Sequence, residues 1–427
     1  MFRSLSDLSE LNPNFQCPSA MGPSDLVSFI PMGDVSDSGH WMRKRTRPLK
    51  SVRQGFTPFT NGDVLFAKIT PCMENGKGAH VLGLTNGVGF GSTEFHVLRP
   101  KPEADARFIF HHTQHRALRS AAEAAMTGSA GQKRVPTEFF HKCKVYAPGK
   151  EEQSRIADIL DILDTQIQKT DALIAKLEKI KEGLLHDLLT RGIYQTGQLR
   201  SAPEQAPELY KESALGLIPK EWEVRQLGTM SEIVSGVTLG GQQSSSSWPL
   251  VAYLRVANVQ DGYLNLEQVK FLRVKPADVE KFRLIPGDVL MNEGGDFDKL
   301  GRGTVWEGEI ETCIHQNHVF RVRTFSKLLD PYFLAYFSGS TRGKAYFVKS
   351  SKQSTNLASI NSTQLKAFEV PVPPFSEQSA IVDYLRSHKK RLTLESDNLG
   401  KLQAQKTGLM DDLLTGRVRV TALLANS

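Results

Sequence analysis

The apolar residues of the stretch 151–191 recur at alternating steps of three and four, and this spacing constrains the fold more than any other feature. The stretch contains no proline, and Gly183 is its only glycine. A spacing sustained over this length predicts one continuous helix with a coiled-coil seam. At ~1.5 Å per residue, such a helix would reach roughly 60 Å. The seam consists of these apolar residues: Ile156, Leu160, Leu163, Ile167, Ile174, Leu177, Leu184 and Leu188.

The same register returns 225 positions along the chain. The apolar positions of this second seam are Ile381, Leu385, Leu392, Leu399, Leu402, Leu409 and Leu413. Two polar interruptions match as well. Thr170 corresponds by position to Glu395, and Lys181 corresponds to Lys406. A second long helix is therefore predicted, and two helices with matching seams most simply pack on each other as a two-fold-related, antiparallel pair.

The repeat also covers the segments that precede the two helices. The sequence Gly-Asp-Val-Leu at 62–65 returns at 287–290, again with an offset of 225. Further upstream the offset is 224, so that Phe29 aligns with Tyr253. Each copy mixes strand-like runs, rich in β-branched and aromatic residues, with short helical patterns. We therefore predict an α+β fold: two repeated α/β globular units separated by two long helices, which pack as an antiparallel coiled coil with pseudo-two-fold symmetry.

The repeat also sets the predicted boundaries. Prolines precede both helices, and the stretch 195–205, with Pro203 and Pro207, reads as a linker. In chain order the segments are the first globular unit at 1–147, the first long helix at 148–194, a linker at 195–214, the second globular unit at 215–372, the second long helix at 373–416 and a tail at 417–427.

Composition and charge narrow the class of protein. The four cysteines are far apart, and no run of apolar residues is long enough for a membrane span, so we expect a cytoplasmic chain with free thiols. The net charge is +7, and residues 1–149 contribute 18 − 12 = +6 of it from Lys and Arg against Asp and Glu. Residues 150–191 carry 7 − 9 = −2. A basic globular unit indicates a polyanionic partner such as nucleic acid.

The sequence lacks three common signatures of catalytic sites. No lysine follows Asp or Glu by two positions, as a nuclease of the D/E-x-K type needs, and neither Asn-Pro-Pro-aromatic nor GxxxxGK[ST] occurs. His111, His112 and His115 could place two imidazoles on one helical face, but without a third ligand a solvated or hydrogen-bonded cluster is favoured over a metal site. We therefore expect a non-catalytic chain without a metal or cofactor of its own.

Three local motifs carry a resemblance to a known family. Each long helix begins after a proline-rich approach to Glu-Gln, at 148–153 and 373–378, and each ends with Asp-Leu-Leu-Thr, at 187–190 and 412–415. The second unit begins with Leu-Ile-Pro-Lys-Glu-Trp at 217–222. Together with the layout, these motifs resemble the specificity (S) subunit of type I restriction–modification systems. The chain departs from the family pattern at one point, because no Ile-Pro-x-x-Trp motif precedes the first unit. We therefore expect the C-terminal tail to pack near the start of the chain and to complete the circular arrangement of the repeated segments.

The resemblance implies a function. Each globular unit would be a target-recognition domain that reads one half of an asymmetric bipartite site in double-stranded DNA, and the helices would fix the unread spacer. The helices would also dock two methyltransferase subunits, which bring S-adenosylmethionine and modify adenine. Restriction-motor subunits, which use ATP and magnesium, would complete the nuclease.

Sequence-specific binding needs cations for phosphates and polar side chains for base edges. In the first unit the candidates for DNA contact are Arg43, Lys44, Arg45, Arg47, Lys68, Lys77, Gln132, Lys133 and Arg134. In the second unit they are Asn292, Arg302, Lys349, Lys352, Gln353 and Asn356. The sequence leaves a different class of protein open, namely a coiled-coil scaffold that joins two protein-binding domains and does not bind DNA. An enzyme in its own right is disfavoured by the missing motifs.

Overall fold

The computed structural model of the chain describes residues 2–129, 131–239, 245–295, 300–353 and 358–424. It divides into two compact units. The first unit comprises Met1–Ala172 and Ser396–Ser427, and the second comprises Leu173–Glu395. Both units contain parts of the same two long helices, so each core is built from segments that lie far apart in the sequence.

The two long helices are Lys150–Thr190 and Phe375–Leu413. Their interiors lack proline, and prolines lie just before both helices, where the missing N–H costs no hydrogen bond. Gly192, with a φ of +65°, follows the end of the first helix in the left-handed conformation that commonly terminates helices. A side chain there would also lack space, because a Cβ would lie 2.5 Å from Trp222 Cζ2.

In each unit the beginning of one long helix packs against the end of the other. In the first unit, Ile156 and Leu160 belong to the same core cluster as Leu413. In the second unit, Leu188 and Ile381 share a cluster. The helices are therefore antiparallel. Every residue of the two predicted seams is buried or half-buried, whereas Ile162, which lies off the seam, is exposed.

The first unit contains two four-stranded sheets. One is antiparallel, with the strand order Ser9–Leu11, Phe95–Pro100, Val64–Ala67 and Gly78–His80. The other has the order Arg45–Pro48, Leu26–Ile30, Val88–Gly91 and Thr57–Thr60, and its middle pair is parallel. A further antiparallel pair joins Phe2–Ser4 to Lys144–Tyr146. The helices are Leu5–Leu8, Ala106–Gln114, Arg116–Ala124, Glu138–Lys142 and Thr421–Leu424, with 3₁₀ turns at Met32–Asp34, Leu49–Ser51 and Thr85–Gly87.

The second unit repeats this plan. Its antiparallel sheet has the order Ser231–Ser235, Val319–Thr324, Val289–Asn292 and Gly303–Val305. Its mixed sheet has the order Lys270–Arg273, Leu250–Leu254 and Cys313–His315. Two smaller sheets have two strands each, Glu223–Gln226 with Glu369–Val372 and Tyr210–Lys211 with Ile218–Pro219. In a third small sheet, Ala358–Ser359 is the middle strand between Gly294–Gly295 and Lys352–Gln353. The helices are Pro276–Phe282, Pro331–Gly339, Thr341–Ser350 and Ser362–Lys366, with 3₁₀ turns at Pro207–Leu209 and Leu227–Thr229.

The fold prediction is confirmed by this arrangement: two repeated α/β units, mixed helix and sheet, and two long helices in antiparallel contact. Within the described ranges, no helix is both long and apolar enough to cross a membrane.

The repeated Gly-Asp sequence has a clear structural role. Asp63 is buried at the start of a central strand, where its carboxylate accepts hydrogen bonds from Arg99 at 2.8 and 2.9 Å. In the second unit Asp288 accepts from Arg323 at 2.7 and 2.8 Å. A buried carboxylate needs such a partner because an unpaired charge is costly away from water. The motif thus anchors the central strand of each unit to its neighbour.

The Glu-Gln pair at the start of each long helix fastens the helix to its unit. The Gln153 side-chain oxygen accepts the backbone N–H of Asp105 at 3.0 Å, and Gln378 accepts that of Asp330 at 2.8 Å. Each of these aspartates in turn caps the N-terminus of a helix, Ala106–Gln114 or Pro331–Gly339. The glutamine therefore joins the long helix to the first turn of the helix that packs beside it.

The glutamates hold the segments that follow the opposite helix. Glu377 is buried and pairs with the guanidinium of Arg200, accepts from Trp222 Nε1 at 3.2 Å, and accepts the Ile193 N–H at 2.9 Å. In the first unit, Glu152 accepts from Arg419 at 2.7 and 2.8 Å.

The tail of the first unit and the start of the chain meet at one aromatic side chain. The guanidinium of Arg419 lies 5.8 Å from the Tyr146 ring centre, and the ring of Phe2 lies 6.2 Å from it. Val420 is buried in the same core cluster as Tyr146. The described part of the tail thus packs beside the residues that open the chain.

Replacing Glu377 by Gln should lower the free energy of unfolding by about 3 kcal/mol, because Arg200 is left as a buried charge without its carboxylate. The control is Glu221→Gln, which removes an exposed carboxylate 3.7 Å from the same arginine and should cost less than about 0.5 kcal/mol. Urea unfolding of the full chain, followed by tryptophan fluorescence, measures both. Equal losses for the two variants would contradict the anchoring role of Glu377.

Candidate nucleic-acid interface

The densest group of cations in the first unit lies on the outermost strand of its mixed sheet. Arg45 and Arg47 belong to the strand Arg45–Pro48, and Arg43 and Lys44 immediately precede it. All four side chains are exposed. Because the strand is the last in the order of this sheet, its outer side is not paired with another strand of the sheet.

Aromatic rings and one carboxylate position these cations. The guanidinium of Arg47 lies 4.2 Å from the Phe29 ring centre, and the ammonium of Lys44 lies 5.6 Å from the Trp41 ring centre. Arg45 pairs with the buried Asp34 at 2.6 Å, so part of its charge is already neutralised. The strand therefore presents cations whose orientation is partly fixed before any ligand binds.

The polar glycine-rich loop that contains Gln132 and Lys133 is closed by a bridge between Thr127 and Arg134. All four side chains are exposed. Arg134 makes a two-pronged contact with the Glu94 carboxylate at 2.8 and 3.0 Å, and this contact holds the pKa of Glu94 below its ordinary value. A phosphate or base that bound Arg134 would have to compete with Glu94.

Two other predicted cations make contacts inside their own unit. The Lys77 ammonium donates to the Val35 carbonyl at 3.1 Å, and only about a fifth of the side chain, 21%, is exposed. Arg302, its counterpart in the repeat, donates to the Gln260 side-chain oxygen at 3.1 Å. Lys68 is half-buried near Glu94 and helps to lower the pKa of that carboxyl.

The remaining candidates in the second unit fall into different environments. Asn292 is 1% exposed, and its amide donates to the Val259 carbonyl at 3.0 Å, so this side chain ties a central strand to the neighbouring turn. Lys349 is exposed near the end of the helix Thr341–Ser350. Lys352 and Gln353 form a short strand that pairs with Ala358–Ser359, and Asn356 lies outside the described residues.

The three histidines do not converge on one point. The His111 imidazole contacts Asp161 through Nε2 at 2.8 Å, and the His115 imidazole contacts Asp411 through Nε2 at 2.8 Å. His112 is buried against the Tyr146 carbonyl, and burial lowers its pKa to about 3. His111 and His115 thus fasten the first unit's short helices to the long helices, whereas His112 contacts the strand Lys144–Tyr146.

One group in this region has the composition of a metal site. His111, Asp161 and Asp164 offer ligand atoms that lie within 4.8 Å of one another. Protein cations already contact both carboxylates, because Arg107 reaches Asp161 at 3.1 Å and Lys406 pairs with Asp164. A divalent ion would add positive charge to carboxylates that are already paired, so the group is better described as an ion-pair network.

Sequence reasoning missed the internal partners of these side chains. Glu94 and Arg134 are 40 positions apart, and Lys77 and Val35 are 42 positions apart, so no local pattern links them. It also passed over the outermost strand of the second unit, Lys270–Arg273. The repeat could have identified it, because the corresponding strand of the first unit carries the cationic run.

Known proteins share this architecture. The family described as type I restriction modification DNA specificity domain matches residues 25–179 and 219–404. A putative type I restriction enzyme MjaX specificity subunit from Methanocaldococcus jannaschii is 28% identical over 210 residues, which are 49% of this chain and 49% of that protein. The type I restriction enzyme EcoAI specificity subunit from Escherichia coli is 35% identical over 192 residues, 43% of this chain and 32% of that protein.

These alignments span half or less of the curated relatives' own length, 49% and 32%. The crystal structure of a type I restriction-modification system S subunit from M. genitalium covers 97% of this chain and 96% of its own, with a TM-score of 0.55 and 15% identity, a likeness of fold. Since the family matches both repeats and most of the sequence, the chain belongs to the type I restriction–modification DNA specificity family.

Proposed function

We propose that this chain is the DNA-reading specificity subunit of a type I restriction–modification complex. Each α/β unit reads one half of an asymmetric bipartite site in double-stranded DNA. The two long helices set the length of the unread spacer between the half-sites. The chain has no catalytic role of its own in this proposal, and its partners carry the chemistry.

The observation that carries the proposal is that one fold occurs twice with different polar surfaces. The buried anchors match, as in the pairs Asp63–Arg99 and Asp288–Arg323. By contrast, Lys68 in the first unit corresponds to Glu293 in the second. Retained anchors with divergent polar positions suit two modules that read different sequences, because base readout depends on which donors and acceptors are presented.

The charge distribution supports DNA as the ligand. Contacts to phosphates supply most of the affinity, and the exposed cations on and before the strand Arg45–Pro48 are suited to them. The loop that contains Gln132, Lys133 and Arg134 is the candidate for base-edge or groove contact, because amide and guanidinium groups recognise adenine and guanine edges. The alternative, a scaffold without DNA, gives no reason for this concentration of exposed cations.

The partners follow from the same proposal. Two methyltransferase subunits dock on the long helices, bring S-adenosylmethionine and modify adenine after flipping it from the duplex. Exposed apolar side chains off the seam, such as Ile162, Tyr384 and Leu394, suit such docking. Restriction-motor subunits that use ATP and magnesium complete the nuclease. Mapping methylated adenines in cells with and without the gene tests the function directly, and identical maps would contradict it.

The double variant Lys133→Ala with Arg134→Ala should weaken binding to the mapped DNA site roughly tenfold, because it removes two cations from the loop. Fluorescence anisotropy of labelled duplex, with the full chain and its methyltransferase partners, measures the affinity. The matched control is Lys142→Ala with Lys144→Ala, which removes two exposed cations from the same unit outside the loop. Equal affinity for the two double variants would refute the loop assignment.

Replacing Glu94 by Gln should strengthen DNA binding. The Glu94 carboxylate pairs with the guanidinium of Arg134. The neutral amide of Gln would bind this guanidinium more weakly, so a phosphate or base could displace it more easily. The same anisotropy measurement applies, and the gain should disappear when Arg134→Ala is added. A gain that survives in the Arg134→Ala background would show that Glu94 acts by its general charge and not through this arginine.

Duplicating 166–172 in the first long helix and 396–402 in the second adds seven residues to each, which preserves the heptad register. At 1.5 Å per residue the insertion adds about 10 Å, equivalent to roughly three base pairs of B-DNA. Methylome mapping should then show the same half-sites with a longer spacer. Methylation that keeps the parental spacer would refute the ruler role, and a variant that duplicates the segment in one helix alone serves as the control for disturbed packing.

A further inference from the structure

The outermost strand of the second unit's mixed sheet, Lys270–Arg273, is the structural counterpart of the cationic strand Arg45–Pro48. Each strand pairs antiparallel with an inner strand that is itself parallel to the next one. In this register Thr46 lies opposite Ser28, and Phe271 lies opposite Ala252. The two strands therefore occupy the same place in the repeated fold while presenting different side chains.

In the sequence of the second strand, an aromatic residue stands between cations. Lys270, Arg273 and the following Lys275 are exposed, and no acidic residue occurs between Glu267 and Asp278. The ring of Phe271 is 61% exposed, among the highest values for the large apolar residues described. Cations on an edge strand can serve simply to prevent pairing with other sheets. An exposed phenylalanine works against that purpose, so protection of the edge does not account for the strand.

Part of this surface is fixed in place before any ligand binds. Arg273 Nη1 donates to the Trp248 carbonyl at 2.7 Å and to the Ser246 carbonyl at 3.1 Å, which fastens the preceding segment to the strand. The Lys275 ammonium lies 5.7 Å from the Trp248 ring centre. Arg273 is thus a positioning residue, and the two lysines on either side of it are the groups suited to an anionic ligand.

We propose that the strand Lys270–Arg273 is a DNA contact of the second recognition unit. Lys270, on one face of the strand, and Lys275, beyond its end, bind backbone phosphates, and the Phe271 ring, on the other face, packs against sugar or base edges. Duplex DNA presents regular anions beside apolar sugar and base surfaces, which matches cations that stand near an exposed ring. A protein partner fits less well, because charged residues are depleted at the centre of protein interfaces. The inference rests on the proposed function and adds residues to it.

The test for the cations is Lys270→Gln with Lys275→Gln in the full chain with its methyltransferase partners. Binding to a duplex that carries the mapped site should weaken about tenfold, and the slope of log affinity against log salt should fall by about 2, since two phosphate contacts are lost. The control is Lys211→Gln with Lys220→Gln, which removes two exposed lysines elsewhere in the same unit and should leave the slope unchanged.

The test for the ring is Phe271→Ala. Affinity should fall roughly tenfold with an unchanged salt slope, because the ring packs on the nucleotide without carrying charge. Thermal stability should be unchanged, since the side chain is exposed, and Phe271→Tyr should keep the parental affinity. Parental affinity in Phe271→Ala would overturn the assignment of the ring.

The outcomes separate this inference from the proposed function. If the parental complex binds DNA with the expected salt dependence and the lysine variant binds equally well, the strand is not a DNA contact and the inference is wrong, while the proposed function stands. If the parental complex itself shows no salt-dependent binding, the proposed function fails. Loss of the methyltransferase partner from the lysine variant, with DNA affinity unchanged, would identify the strand as a protein-docking edge and would also overturn the inference.

Discussion

The Glu-Gln pair at the start of each long helix is the contact on which the rest of the fold depends. Gln153 and Gln378 bond the backbone N–H of an aspartate that caps the adjacent helix. Glu377 holds Arg200 and Trp222, which belong to the segment that follows the other long helix. One dipeptide therefore connects three pieces of chain that are far apart in sequence. A buried carboxylate without these partners would be strongly destabilising, so the motif is constrained in both repeats.

The long helices and the repeat could be predicted from the sequence because both signals are regular. Apolar residues spaced by three and four over some forty residues are compatible only with a long helix. The constant offset in position between similar residues reveals the second copy of the unit. The Gly-Asp turns were visible as a repeat, although their partners Arg99 and Arg323 were not. Side-chain pairing depends on which segments the fold brings together, and Glu94 with Arg134 shows this, since a guanidinium that looked available for DNA is held by a carboxylate 40 positions away.

Burial explains the other difference between pattern and structure. Asn292 lies on a strand in a position where the first repeat has Ala67, and a polar residue that differs between copies suggests a contact with the ligand. Its amide instead bonds the Val259 carbonyl inside the unit. A buried N–H group needs such an acceptor, because leaving it unsatisfied costs about 1–3 kcal/mol. Divergence between repeats therefore includes internal adjustments, and these can be separated from candidate ligand contacts only when burial is known.

The two long helices repeat one pattern, but their seams differ in one ion pair. This difference helps to explain how a repeated pair of helices packs in a single register. Lys406, a polar interruption of the second seam, pairs with Asp164 of the first long helix. The positions that correspond to this pair in the repeat are Lys181 and Lys389, and two cations cannot form the same contact. An ion pair in a largely apolar seam adds little net stability, but it penalises any register that separates its partners. Because it occurs in one half alone, it fixes the register of the helices without requiring the two halves to be identical. The two globular units are thus free to diverge without a change in the register of the helices.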